Sequence, residues 1–483
     1  MPMQKAGSAS GEDQRTKILT RSTTAFHNES VVWANKFDLQ ELGYRYIAGE
    51  HYTPSEIAWY DTQRRPTNAF NLIFPIFNQI LGEFYMDHRR ERVFRKPGGT
   101  AEVAKIWEDV IDNVQIDSDF KYQMGRTVLA GLVGASYLYP RFSNEKMING
   151  SVVVGNSDEF EHMFDSRARD YFADDGKYWI RSKWLAPDDI MHQWPHLRTT
   201  LGAFFDEREY LEEFWSFDDA SGFITAQMMH KDFVDERNGK FRILEFHEMP
   251  WENTEVAYNS TTRDAHIMTL EGARRDLFLK MNPGTTIVER TEKVKKVHEI
   301  LPAMWYVLDS RDAQIQDQSY DYVPYWPYSY GMRTIDYFGL YRNAKGPQDD
   351  FNDSRNRKLD ILNTSANVGE IYQPDAFMNP EDIERHGSAP GAKLKLNKAA
   401  DINKVYKRLD PPKYPFANSR YEMESAELLQ KIVGYSPTLS GQSESKQEAG
   451  VLFSRKLQQA KIALLPTTFN LSLTKRRVFN KVI

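Results

Sequence analysis

The stretch KGPQDDFNDSRNRKLDILN, residues 345–363, has the marks of a helix that its own subunit cannot cover. Gly346 and Pro347 break the chain ahead of it. Asp349 and Asp350 stand where a helix dipole favours negative charge, and Arg355, Arg357 and Lys358 lie further in. Its large apolar residues are few, chiefly Phe351, Leu359 and Leu362. A densely charged helix with one narrow apolar seam buries little within one chain.

The chain around it is large enough for a real core. It has 483 residues, of which 41% are hydrophobic and 13% aromatic, so it is not a disordered protein. By length it holds about two to four domains, or one elongated subunit. A bilayer span needs about 20 apolar residues, and the best apolar run, FNLIFPIF at 70–77, is far too short. No membrane partner is expected. The opening MPMQKAGSASGEDQR lacks an apolar h-region and predicts a flexible tail over 1–30, not a signal peptide. Cysteine is absent, which removes disulfides, thiolate metal sites and cysteine nucleophiles and fits assembly in a reducing cytoplasm. The formal net charge is −6, from 62 basic and 68 acidic residues. A protein that clamps duplex DNA through many phosphates usually carries a basic excess. Any DNA contact here is expected to be loose or local.

The pattern along the chain is mixed. TPSEIAWYD predicts a helix start at Thr53, Pro54 and Glu56. TAEVAKIWEDVIDNVQ has Thr100 as N-cap and puts Val103, Ile106, Trp107, Val110, Ile111 and Val114 on one helical face. FKYQMGRTVLAGLVGASYLY continues as helix, with glycines that allow close packing. GSVVVG, KYWIRSKWL and GKFRILEFHEM then alternate with Asp/Gly turns and predict strands. Ile267, Leu270, Ala273, Leu277 and Met281 mark another helix, ended by NPG at 282–284, and 285–330 looks β-rich and loopy. Helix returns at YEMESAELLQKIVG and from Ser445 onward. The fold class is α+β.

Several chemistries have no motif. There is no G-x-x-x-x-G-K-[ST], no G-x-G-x-x-G, no H-E-x-x-H and no G-x-S-x-G. The acidic segment FDSRARDYFADDGKYW, with Asp165, Asp170, Asp174 and Asp175, admits a divalent-metal nuclease or hydrolase reading. Its spacing is not that of an EF-hand, and a loop whose aspartates bond their own backbone explains it as well. YDYVPYWPYSYG, with Tyr322, Tyr325, Trp326 and Tyr328, reads either as interface material or as a rigid loop packed on its own sheet. From Ser445, Ala449, Leu452, Phe453, Leu457, Ala460, Ala463 and Leu464 share one helical face. Ser454, Arg455, Gln458 and Lys461 lie elsewhere, and LLPTT breaks the helix at Pro466. This is either a kinked surface helix or a polar face turned to a ligand or channel.

Taken in order, these segments resemble the portal proteins of tailed bacteriophages, in the podovirus-type branch similar to that of phage P22. RRPTNAFNLIFPIFNQILGEF is similar to the family's early segment, and MFDSRARDYFADDGKYWIRSKWLAPDDIMHQWP to its wing segment. The family pattern K-x-P-Q-x-x-x-N-x-x-x-S is matched at Lys345, Pro347, Gln348 and Asn352, while serine falls early, at Ser354. LSGQSESKQEAGVLFSRKLQQAKIALLPTTFNLSL resembles the long kinked helix and tunnel loop.

The resemblance implies a ring-forming subunit with an α/β wing, a two-helix stem, a small α/β clip and a long kinked tunnel helix. The implied layout is a tail (1–30), wing (31–260), first stem helix (261–282), clip (283–335), second stem helix (336–365), wing return (366–444), and a kinked tunnel helix with the start of a minimal or truncated crown (445–483). It implies a dodecameric homo-oligomer at the capsid vertex of the virion, assembled in the host cytoplasm. Double-stranded DNA passes through its channel in packaging and ejection. The implied partners are the terminase large subunit, a head-completion or tail adaptor, the scaffolding protein and the major capsid protein. No catalysis of its own, cofactor or metal is implied; the alternatives are the metal-dependent enzyme and another virion structural protein. By the same resemblance Gln348, Phe351, Arg355, Leu359 and Leu362 form the inter-subunit stem. Arg455, Lys461, Leu465, Pro466, Thr467 and Thr468 face DNA at the tunnel loop, and Tyr322, Tyr325, Trp326 and Tyr328 dock partners at the clip.

Overall fold

The computed structural model describes residues 11–86, 91–95, 99–144, 149–206, 232–260, 265–267, 272–313, 317–366, 368, 370–379, 381, 395–397, 401–410, 416–434, 455–456, 458–459 and 461–483. The chain divides into two compact units. The first takes 1–41, 81–340 and 465–483, and the second takes 42–80 and 341–464.

Helix α1 (Gly11–Ala48) starts well inside the segment expected to be a mobile tail. Leu19, Phe26 and Trp33, seven residues apart, are buried, and that burial orders a helix whose remaining residues are mostly polar. Helices α2 (Pro54–Thr62), α3 (Ile73–Met86), α4 (Ala101–Asp117) and α5 (Phe120–Val133) follow. Thr53 and Glu56 form a reciprocal capping box with Pro54 at the first turn, and the Thr100 hydroxyl accepts from the Val103 N–H at 3.3 Å. The expected apolar face of α4 is only half used. Ile111 and Val114 are buried, whereas Val103 and Ile106 are exposed. Two glycines of α5 do permit close packing. A Cβ on Gly131 would lie 2.3 Å from the Tyr325 ring, and one on Gly125 would overlap the Tyr85 hydroxyl.

Most strands belong to the first unit. Strands β1 (Ser136–Ser143) and β2 (Ser151–Ser157) pair antiparallel, and β12 (Val323–Tyr325) joins β1 on its other edge. Strands β3 (His162–Phe164), β4 (Tyr178–Leu185), β5 (Val234–Asp235), β6 (Lys240–Glu248), β10 (Lys296–Leu301) and β11 (Tyr306–Asp312) form a six-stranded sheet in the order β11-β10-β6-β4-β3, with β5 on β6. Short helices α6 (Pro187–Gln193) and α7 (Arg198–Asp206) follow β4. Trp33, Phe164, Trp179, Leu244, Ile300 and Trp326 meet in the core, with the Trp33 and Phe164 rings edge-on at 4.7 Å. A smaller sheet, β8-β7-β9, joins β7 (Trp251–Asn259), β8 (Ala265–Ile267) and β9 (Thr285–Lys293), with α8 (Gly272–Met281) between β8 and β9. A two-residue pairing of β13 (Tyr328–Ser329) with β14 (Tyr337–Phe338) completes the unit.

This topology corrects two expectations. The first stem helix expected at 261–282 contains strand β8 before α8, with 261–264 and 268–271 outside the described residues. The clip expected at 283–335 is not a separate insert: β9 pairs with β7 over nine residues, and β10 pairs with β6. The physical reason is that Val297, Ile300 and Leu301 are core residues, and pairing between strands about forty residues apart leaves no local mark in the sequence.

The second unit is built on α9 (Tyr341–Ala366) and α11 (Phe416–Val433), which pack side by side. Between them lie β15 (Glu370–Tyr372), the one-turn α10 (Ile402–Val405) and β16 (Tyr406–Arg408). The two strands pair antiparallel over a small apolar cluster of Ala376 and Phe377 with Tyr372, Leu396, Val405 and Tyr406. Within the segment expected as a wing return, 366–444, the described residues form this small element and a long helix. Helix α9 also begins earlier than the Gly346–Pro347 break suggests. Leu340, Tyr341 and Ala344 are buried, and their packing outweighs a proline inside the helix, worth about 3 kcal/mol. Helix α12 (Leu465–Val482) returns the chain to the first unit.

Candidate functional site

Helix α9 carries carboxamides at Gln348, Asn352 and Asn356, four residues apart and all buried. They grip the backbone of 68–72. The Asn356 Oδ1 accepts from the Asn68 N–H (3.1 Å) and its Nδ2 donates to the Asn68 carbonyl (3.0 Å). Asn352 Oδ1 accepts from the Phe70 N–H (3.0 Å), and Gln348 Nε2 donates to the Phe70 carbonyl (2.8 Å). Gln348 Oε1 accepts from the Leu72 N–H at 2.9 Å. The match is geometric: four helical residues rise about 6 Å, close to the ~6.6 Å covered by two extended residues. Every second peptide thus meets a carboxamide, much as it would meet a neighbouring strand.

His51 closes the network. Its Nε2 lies 3.0 Å from the Tyr46 carbonyl and its Nδ1 2.6 Å from Asn352 Nδ2. Donation to the carbonyl leaves Nδ1 to accept from the amide, as a neutral ring does. Burial pushes the His51 pKa down, in keeping with that role. The Tyr46 ring stacks on His51 at 4.6 Å, and its hydroxyl donates to Asp349 at 2.5 Å. Asp349 also pairs with Lys345 at 2.6 Å, so it serves this cluster and not the helix dipole.

The residues expected to form an inter-subunit stem therefore divide. Gln348 is corrected to an internal role, because both ends of its amide are used within the subunit. Arg355 reaches Glu422 of α11 at 2.7 Å and lies over the Phe70 ring at 5.4 Å. Phe351 is half-buried with its ring edge-on to Phe70 at 6.4 Å. Leu359 is half-buried, and Leu362 stays 52% exposed. On α11, Tyr421, Leu428 and Ile432 are exposed at spacings of seven and four. Sequence reading found a helix at 421–434 but missed Asn356 and the packing of α11 on α9. The four-residue amide spacing was the available signal for the first.

The kinked helix survives in part. Residues 445–454, including Ala449, Leu452, Phe453 and Ser454, lie outside the described residues, as do Leu457 and Ala460. Arg455, Gln458 and Lys461 are exposed and helical, and a turn at 463–464 precedes α12. The break falls just before Pro466, which then sits in the first turn of α12, where its missing N–H costs little. Leu465, Pro466, Thr467 and Thr468 are thus helical and not a loop. Leu465 is exposed, whereas Thr467 is buried.

The aromatic segment belongs inside the first unit. Tyr322, Tyr325 and Trp326 are fully buried, so their expected docking role is corrected to a core role. The Tyr322 hydroxyl donates to Glu245 (2.7 Å), and Tyr320 donates to the Gly176 carbonyl (2.8 Å). Tyr328 is half-buried, stacked on Phe338 at 5.5 Å with the exposed Tyr330 at 6.0 Å.

The acidic loop uses its aspartates on its own backbone. Asp165 accepts from the Arg167 and Lys177 N–H groups, at 3.0 and 3.1 Å. Asp175 takes the Arg169 and Asp170 N–H groups, and Asp170 takes that of Phe172. Asp174 pairs with Arg477 of α12. Among the described residues, no three His, Asp or Glu side chains are grouped to hold a metal. This use of the carboxylates gives the nuclease alternative no support.

A sequence model of the family described as Phage P22-like portal protein matches residues 24–483. The chain belongs to that family. No curated protein matches it. As a P22-like portal protein it is a structural component of the bacteriophage virion that serves genome packaging, in a family that forms rings at the capsid vertex and associates with capsid and terminase. The family is non-enzymatic.

Proposed function

We propose that the subunit closes into a dodecameric ring whose stem is the helix pair α9 and α11 and whose clip is the segment between them, 367–415. The observation that carries this reading is the pair itself: two long helices packed together, bracketing a small β element with its own apolar cluster. That is the stem-and-clip order of the family, displaced along the chain from 261–365 to 341–433. Leu362 on one helix and Tyr421, Leu428 and Ile432 on the other supply an apolar surface for neighbouring copies.

In this ring the terminase large subunit, and later a head-completion or tail adaptor, dock at the clip, while scaffolding and major capsid protein meet the wing. Arg455 and Lys461 face the channel, and double-stranded DNA slides past a wall without a dense basic patch. Assembly takes place in the host cytoplasm.

Negative-stain microscopy of the purified full chain tests the reading. Rings with a central hole are expected, and Leu428→Glu with Ile432→Glu should yield folded monomers. Compact monomers alone at micromolar concentration in several salts, or rings unaffected by the double substitution, would overturn it.

A further inference from the structure

The small sheet β8-β7-β9 and helix α8 bury very little of themselves. Among the described residues from Trp251 to Lys293, only Val256 and Ala257 are buried. Trp251, Tyr258, Leu277, Met281 and Val288 are all exposed. A sheet of three strands needs an apolar face that something covers, and two buried residues do not supply one.

The exposed residues fall on two different sides. On α8, Leu277 and Met281 are four positions apart on one edge, 58% and 72% exposed. Arg275 lies about 160° round the helix from Leu277 and pairs with Glu255 of β7 at 2.9 Å, so Leu277 stands away from that contact. Successive residues of β7 alternate sides, which puts Val256 and Tyr258 on the side opposite Glu255. Val288 of β9 is the cross-strand partner of Val256 and joins them there. Tyr258 and Val288 are therefore diagonal neighbours about 7 Å apart, close to the ~6 Å rise from Leu277 to Met281.

Charge follows the same division. Helix α8 carries Arg274 and Lys280, both exposed and without an ion pair among the described residues. Strand β7 has carboxylates and no cation, and its register sets Glu252 directly opposite Glu292 on the Tyr258 side. Like charges so placed repel, and Lys296 on Glu252 (2.7 Å) and Arg290 on Glu292 (3.5 Å) offset this in part. One element thus offers an apolar, cationic helix edge and an apolar, acidic sheet face on opposite sides. In a ring, each copy meets its two neighbours through two different surfaces. We propose that the outer edge of α8 docks on the open face of β7 and β9 of the next copy, so that a second copy of this chain covers each surface. Leu277 and Met281 then lie over Val288 and Tyr258, and Arg274 and Lys280 bring cations towards Glu252 and Glu292. This contact rests on the ring reading, but not on which helices form the stem.

The chain has no cysteine, so introduced pairs report the contact cleanly. In rings of the full chain, Leu277→Cys with Val288→Cys should give a ladder of covalent oligomers on mild oxidation, and either substitution alone should give none. Leu277→Glu with Met281→Glu should raise the protein concentration needed for rings about tenfold or more, since both carboxylates are desolvated in the contact. The melting temperature of the subunit should hardly move, because both side chains already meet water in it. Rings that yield no ladder, dimers from a single cysteine, or rings indifferent to the two glutamates would overturn the docking and leave the ring itself standing. Absence of rings altogether would sink both, and negative-stain images tell the two failures apart.

Discussion

Helix α9 is polar and charged, yet it buries three carboxamides; the run YDYVPYWPYSYG is aromatic and proline-rich, and it buries four aromatic side chains. Both had the composition of interface material. The difference lies in how each satisfies what it buries. The amides of α9 match the repeat of an extended backbone, so polar groups enter the interior fully bonded. The aromatic run buries rings and sends two tyrosine hydroxyls to fixed acceptors. Burial follows satisfaction, and residue class alone does not reveal it.

The largest blow to this contrast comes from Trp326→Ala. A fully buried indole deleted from the core should cost about 3–5 kcal/mol. Thermal unfolding measures it, and a loss below ~1 kcal/mol would return Trp326 to the surface role its neighbours suggested. Next is Asn352→Leu, which strands the Phe70 N–H and the His51 Nδ1 in a buried site. About 2–4 kcal/mol is expected from two abandoned partners. Coupling with Gln348→Leu of about 1 kcal/mol or more should appear, since the two amides also touch at 3.2 Å. Simple additivity would break the idea of a ladder.

The units should also differ in their response to pH. His51 has its pKa lowered by burial, so its contribution is present above the ordinary histidine value of 6.5 and is lost as pH falls below it. The second unit should therefore loosen on acidification. Hydrogen exchange of 68–72 against 178–185 of the central sheet at pH 7.5 and 5 reads it, and equal changes in the two segments would erase the contrast.

Local signals were legible where local chemistry decides structure. The Thr53 capping box, the Thr100 cap, the glycines of α5 and the strands around Val152, Ile180 and Ile243 all follow from neighbouring residues. What was not legible depends on distant partners. Strands β9 and β10 read as an autonomous clip because their pairing with β7 and β6 is long-range. Helix α1 read as a tail because Leu19, Phe26 and Trp33 are thinly spread among polar residues. The packing of α9 on α11 left no local mark either, since about fifty residues, many of them prolines and polar groups, separate the two helices. The portal family itself was legible from the order of the segments, although the pattern that carried it, Gln348 and Asn352, proves to be an internal fastening.

The smallest expected effect on the isolated subunit is the most discriminating for the outer side of α9. Leu362 is 52% exposed, less than two turns beyond the last well-buried amide, Asn356 being at 7%. A glutamate there meets water in a lone subunit and should change its stability by less than ~0.5 kcal/mol. In a ring whose neighbouring stem covers that position, the same carboxylate is desolvated without a partner, which costs several kcal/mol at each interface. Leu362→Glu should therefore leave the melting temperature of the monomer almost unchanged while abolishing rings in mass photometry. Gln348→Leu should do the opposite, weakening the subunit and sparing whatever rings still form. Should Leu362→Glu leave ring assembly intact, the outer seam of α9 faces solvent in the assembled particle, and the polar inner face is the whole of what this helix contributes.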